Sequence, residues 1–312
     1  MKLSDIILEE NGKPKAVIMA GGAGAGKSYL LNQLGLEGLK LYNPDKYVED
    51  KDHPYFNNLS AASGQVAKDV GVASDNKESF IWDTTAGNPG KVKEIIDKGY
   101  DVFMIMIYTH PMISFISNFS RERRIPKVGV FSTWKSVYSL IETYSDMLGD
   151  NFVISINNRD NKFEKEVNDF NKAATKGAKG IFEYLNSYME ATGGREAYKS
   201  TFNKPFKLED ELEKEFRKLA ANTSANLEDE GTYKTLARDY KKYHHHYQSG
   251  KYGAARIQSN FNKYLDKQEK DKQRHLGDLE AIADTLYDDS FQELLKHSSV
   301  KEIDQKVQRF LT

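Results

Sequence analysis

The chain has no cysteine, which excludes disulfides, thiolate catalysis and cysteine-ligated zinc together. It has no excess of charge either: 45 Lys and Arg stand against 46 Asp and Glu, a formal net charge of −1. Global attraction to nucleic acid or an anionic membrane is therefore ruled out, and any such affinity must be local. No apolar run approaches the ~20 residues that a membrane span needs. The opening MKLSDIILEENGKPK has too short an apolar run and too acidic a flank for a secretory leader. These features imply a cytoplasmic protein without a membrane partner. Over 312 residues, a hydrophobic share of 39% suffices for one large packed core or two ordinary ones.

Apolar runs alternate with amphipathic stretches from Lys15 to about residue 187, the pattern of a parallel sheet with helical crossovers. Residues 16–19, 39–42, 80–82, 102–108 and 152–156 are the expected strands, each short and rich in Val, Ile, Phe or Tyr. After Ala191 the sequence Thr192, Gly193, Gly194 breaks this pattern, and helical spacing takes over. Leu276, Leu279, Ile282, Ala283 and Leu286 form one apolar stripe on a charged helix. The expectation is an α/β domain over 1–190, with a P-loop NTPase-type parallel sheet and flanking helices, followed by an all-helical domain over 191–312.

Directly after the first expected strand comes Gly21-Gly22-Ala23-Gly24-Ala25-Gly26-Lys27-Ser28, which fits GxxxxGK[ST] and leads into an amphipathic helix. Glycines allow successive backbone N–H groups to converge on phosphate oxygens, and the helix N-terminus adds partial positive charge. A nucleoside triphosphate, ATP or GTP, with Mg2+ is the implied ligand. Lys27 is expected to bridge the β- and γ-phosphates and Ser28 to ligate the metal. A carboxylate beyond the second strand, Asp45, is placed to orient a hydroxyl for in-line attack, although an Asx-type turn after Pro44 would also use an aspartate.

With Asn43-Pro44-Asp45, His53-Pro54-Tyr55 and Ile81-Trp82-Asp83-Thr84-Thr85 added to the phosphate loop, residues 14–160 resemble the zeta-toxin and polynucleotide-kinase branch of P-loop kinases. The resemblance implies that Asp45 accepts the proton of the attacking hydroxyl. It also implies that Asp83 and Thr84 contact the acceptor or, through water, magnesium; a helix cap near Asn88 is the other use of Asp83. Zeta toxins more usually have Glu at the position of Asp83, and polynucleotide kinases Asp. The segment Arg121-Glu122-Arg123-Arg124 resembles the arginine-bearing lid of these kinases. Arg121 and Arg124, three residues apart, would stabilise transferred charge and Arg123 would hold substrate; a solvated basic face shows the same pattern. By resemblance the acceptor is a small molecule or sugar nucleotide, as in zeta toxins. The acidic stretch Asp45-Lys46-Tyr47-Val48-Glu49-Asp50 argues against a nucleic-acid 5′ end, the alternative acceptor. No DxDGT-type phosphatase signature accompanies it.

The polar stretch from Asn157 to Asn161 follows the fifth strand, where by resemblance such kinases often approach the base of the nucleotide, but loops after strands are polar in most proteins and no base specificity is assigned to it. His244-His245-His246 falls in a helical stretch, where neighbours point about 100° apart and cannot share one metal. Residues 234–272 interleave Lys and Arg with aromatic residues, a pattern that serves base stacking or, more simply, an aromatic core face with a solvated basic back. A third reading makes the protein a nucleotide-responsive module without turnover that docks a protein partner through its C-terminal helices. Composition has a microbial or phage character.

Overall fold

The computed structural model describes residues 12–36, 38–50, 52–55, 58–120, 125, 127–157, 162–193, 208–228, 230–248, 253–295 and 297–312. Strands β1 (Lys15–Ala20), β2 (Lys40–Tyr42), β3 (Phe80–Asp83), β4 (Asp101–Tyr108) and β5 (Phe152–Ile156) form one sheet in the order β2-β3-β1-β4-β5. Every pairing is parallel. The five expected strands are all present, within a residue or so of their expected ends. β1 lies at the centre and all six of its residues are buried, as an apolar strand covered by helices on both faces requires.

The helices are α1 (Lys27–Leu31), α2 (Asp45–Glu49), α3 (Leu59–Asp75), α4 (Pro89–Asp97), α5 (Pro111–Phe119), α6 (Lys127–Tyr138), α7 (Ile141–Leu148), α8 (Glu164–Ala174) and α9 (Gly177–Ala191). They are followed by α10 (Asp210–Ala220), α11 (Glu230–Gln248), α12 (Gly253–Leu286), α13 (Asp289–Leu294) and α14 (Val300–Leu311). Among the described residues beyond Ala191 every regular element is a helix, as expected. Among the described residues no helix is long and apolar enough to cross a membrane.

The division of the chain differs from the expected boundary at residue 190. One compact unit comprises the chain up to Tyr184 together with Asp278–Thr312, and the second comprises Leu185–Gly277. The last helix explains the difference. Ser299 and Glu302 form a complete capping box at the start of α14, and Ile303, Val307 and Leu311 recur at helical spacing on one face. That face is buried in the same cluster as Val17, Met19, Phe103 and Ile105 of the sheet. Replacement of Ile303, fully buried, by Ala should cost ~2–5 kcal/mol in urea unfolding of the whole chain. An Ile303→Ala protein as stable as the unmutated one would remove α14 from this core.

The second unit has its own core of Phe216, Leu236, Ala237, Tyr240, Ile257 and Phe261. Tyr233 and Tyr240 pack against Phe216 at ring-centroid distances of 5.6 and 5.7 Å, and Phe261 at 5.8 Å. Tyr240 and Phe261 are buried here and are not available for stacking bases. This is the core-face use of the aromatic pattern.

Candidate functional site

The strand register places the carboxyl end of β1 beside those of β3 and β4, since Met19 pairs with both Asp83 and Ile105. The chain leaving β1 turns toward β2 and the chain leaving β4 toward β5, so the sheet opens a crevice where these loops diverge. The glycine-rich segment lies at this end of the sheet. Gly24 has φ +76°, and a Cβ there would stand 2.7 Å from the Ser114 backbone oxygen on α5. Gly26 has φ +95°, and a Cβ would meet the Asn157 amide at 2.7 Å. Both left-handed dihedrals and close approaches demand glycine. Gly26 stands at the N-cap of α1 without a side-chain cap, which leaves helix-end amide donors for an anion.

Lys27 opens α1 and turns back across the loop. Its Nζ donates to the carbonyl oxygens of Gly21 at 3.0 Å and Gly22 at 3.4 Å, and lies 3.8 Å from Asp83 Oδ1. Asp83 ends β3 and is only 5% exposed. Asn43 joins it to the second strand: Asn43 Nδ2 donates to Asp83 Oδ2 at 3.1 Å, while Asn43 Oδ1 accepts the Asp45 N–H at 2.7 Å. One asparagine thus ties both acidic residues together. Asn43 is the Asx-turn residue, and Asp45 is the first residue of α2. Asn88 caps α4 by accepting the Gly90 N–H, so Asp83 does not perform that task.

A cavity of about 300 Å³ gathers these groups. Gly24, Lys27 and Ser28 line one side, and Asn43, Asp45, Asp83, Thr84 and Thr85 are also in its wall. Leu59, Ser63 and Val66, on one face of α3, add a partly apolar surface. Behind Asp45, the Tyr47 hydroxyl donates to Asp69 Oδ2 at 2.9 Å, and Gln65 Nε2 donates to Asp69 Oδ1 at 2.8 Å, which braces α2 on α3. The hydrogen bond to the Asp69 carboxylate raises the Tyr47 phenol above its ordinary value, with burial adding to the effect.

Arg121, Arg123 and Arg124 lie outside the described residues. Their flanks are informative. Buried Asn118 donates from Nδ2 to the Ile125 carbonyl at 2.8 Å and accepts the Ile125 N–H at 2.9 Å, and Ile125 lines the cavity. Asn118 therefore holds Ile125 at the wall of the phosphate loop's cavity. Asn118 and Asn43 were not singled out from sequence as site residues, because an asparagine's use depends on partners 40 residues away or across a turn. Asn157, in the polar stretch left without a role, donates from Nδ2 to the Ala25 carbonyl at 2.8 Å and buttresses the loop directly.

His110 ends the β4 loop and caps α5: Nδ1 accepts the Met112 N–H at 3.2 Å, and Nε2 faces Asn171 Oδ1 at 2.9 Å. Burial pushes its pKa down to about 4 against the opposing effect of Asn171. The folded value lies below the ordinary 6.5, so the unfolded chain binds the extra proton between these values. The stabilisation is complete above pH 6.5 and is lost as pH falls toward 4, by up to about 3 kcal/mol. Urea unfolding at pH 7 and pH 4.5 should show this fall, and His110→Asn should flatten it; an unchanged slope in that variant would refute the assignment.

His244 Nδ1 lies 3.1 Å from the Lys241 carbonyl oxygen on its own helix, and the side chains of His245 and His246 lie outside the described residues. Among the described residues no group of three or more His, Asp or Glu is arranged to hold a metal.

The parallel sheet in this order, with the glycine-rich loop leading from β1 into α1, defines a P-loop NTPase-type fold. Residues 2–127 match the family model of zeta toxin. No curated protein sequence matches the chain. Among solved structures, the AvrRxo1-ORF1:-ORF2 complex in its native form is 14% identical with a TM-score of 0.39, and the same complex with ATP is 14% identical at 0.40. In each case the similarity covers 50% of this chain and 58% of the other, so less than two thirds of those neighbours' length is spanned. A structure from the PezAT chromosomal toxin-antitoxin system of Streptococcus pneumoniae is 16% identical at 0.35, over 48% of this chain and 71% of that one.

Proposed function

We propose that the protein is an ATP- or GTP-dependent kinase that transfers the γ-phosphate to a hydroxyl of a small molecule or sugar nucleotide. The observation that carries this reading is a single cavity lined by Lys27 and Ser28 from the phosphate loop and by Asp45 at the start of α2. Asp45 takes the proton of the acceptor hydroxyl as its oxygen bonds to the γ-phosphorus. The bond from that phosphorus to the β-phosphate bridging oxygen breaks, and the nucleoside diphosphate leaves. Lys27 exchanges the loop carbonyls for phosphate oxygens and offsets the developing charge. Arg121 and Arg124 grip the transferred group, and Arg123 and Thr84 hold substrate.

The Ser28 hydroxyl and the Asp83 carboxylate are hard oxygen donors in one cavity, which fits magnesium with Ser28 as direct ligand and Asp83 acting through water. When bound, magnesium neutralises phosphate charge in this site. Incubation with γ-labelled ATP and magnesium against pooled UDP-sugars, nucleosides, nucleotides and 5′-hydroxyl oligonucleotides tests the proposal. Label is expected on a nucleotide sugar or other small molecule, with Asp45→Asn as the inactive control. Label on the oligonucleotides alone would replace the small-molecule acceptor by a nucleic-acid end.

A further inference from the structure

Tyr42 at the end of β2 pairs with Trp82 on β3, so the next residues of the two strands, Asn43 and Asp83, leave the sheet side by side. The Asn43 amide bridges this gap with Nδ2 on Asp83 Oδ2, and its Oδ1 turns back onto the Asp45 N–H. The other oxygen of Asp83, Oδ1, lies 3.8 Å from Lys27 Nζ. Two side chains, Asp83 and Asn43, thus connect the lysine of the phosphate loop to the backbone of Asp45.

The two bonds ask opposite chemistry of one short side chain. Toward Asp45 position 43 must accept, and toward the buried Asp83 carboxylate it must donate. A serine accepts the N–H two residues on but is too short to reach Asp83. An aspartate accepts it too, yet sets one carboxylate against another. Glutamine carries one methylene too many for the tight turn. Asparagine meets both demands.

Asp45 has little else in its own helix to fix it. It opens α2, which has five residues, far below the length at which a helix is stable alone. Pro44 before it holds φ at −64° but has no N–H to offer. The bond from Tyr47 to Asp69 secures α2 two residues further on, and the Asn43 bond secures its start.

We propose that Asn43 is a positioning residue of the transfer reaction: it holds Asp45 in register with the Asp83–Lys27 pair, so that the acceptor hydroxyl and the transferred phosphate meet in line. Asn43 exchanges no proton and acts through Asp45. The inference rests on the proposed kinase function and deepens it, since it names what sets the distance between the phosphate side and the acceptor side of one cavity. Misplacement of a reacting group by about 1 Å can cost on the order of 10²-fold in rate.

The test is single-turnover transfer from γ-labelled ATP, with magnesium, to the acceptor pool described above, using the full chain and its Asn43→Ala, Asn43→Ser, Asp45→Asn and Asn43→Ala/Asp45→Asn variants. ATP affinity and urea unfolding are measured on each. Asn43→Ala is expected to lower the rate about 10- to 100-fold with ATP affinity unchanged within about twofold. Asn43→Ser, which keeps the turn and loses Asp83, should lower it about tenfold. Because Asn43 acts through Asp45, adding Asn43→Ala to Asp45→Asn should cost less than about threefold more. A merely structural role would instead multiply the two losses. Multiplied losses, a full rate in Asn43→Ser, or ATP affinity falling in step with the rate would overturn the positioning role and leave the kinase function standing. An unmutated protein that binds ATP and labels nothing in the pool would overturn both.

Discussion

Replacing Lys27 by Ala is expected to lower phosphoryl transfer by on the order of 10³-fold and to weaken ATP binding in the same variant. The reason is geometric. The ammonium is held within the loop by the Gly21 and Gly22 carbonyls, 3.0 and 3.4 Å away, and both contacts can be exchanged for phosphate oxygens without moving the backbone. The same replacement removes the ammonium that lies 3.8 Å from the almost wholly buried Asp83 carboxylate. Loss of one member of a buried pair is destabilising, so a fall in activity has two possible sources. The double variant Lys27→Ala/Asp83→Asn separates them. Thermal unfolding should show recovered stability in the double variant, with transfer still absent. ATP affinity in Lys27→Ala equal to that of the unmutated protein would sink the assignment of the loop.

Asp45→Asn should reduce single-turnover transfer by about 10²–10⁴-fold, the usual contribution of a general base, with ATP affinity unchanged within about twofold. Asparagine keeps the size of the side chain. The turn that presents it relies on the Asp45 backbone N–H donating to Asn43 Oδ1, a bond the substitution does not touch. The contrast with Lys27→Ala is the informative part: one variant loses chemistry alone, the other chemistry and nucleotide together. A transfer rate preserved in Asp45→Asn would assign proton removal to another group.

The strands and the phosphate loop were legible because their signals are local. A run such as Ala16-Val17-Ile18-Met19 buries itself on both faces of any sheet it enters, and Gly24 and Gly26 answer to dihedrals set within a few residues. Asp45 and Asp83 were legible as carboxylates at strand ends, and the structure adds that Asn43 bonds them both. The aromatic residues interleaved with Lys and Arg fitted two uses, and only the packing of Tyr240 and Phe261 on Phe216 distinguishes a core from a stacking surface.

The domain boundary was not legible. Ile303, Val307 and Leu311 form an evident stripe with an evident capping box, but a stripe specifies that a face will be buried and not which surface will bury it. The sequence by itself determined the order of strands and helices, the phosphate loop and the acidic residues beside it, since each depends on neighbours in the chain. Tertiary structure alone decided that the last helix joins the first unit's core and that Asn118 anchors Ile125. It also decided that Asn43 reaches across to Asp83. Each of these rests on hydrogen bonds or apolar contacts whose partner is selected by three-dimensional proximity, for which a single sequence carries no local signal.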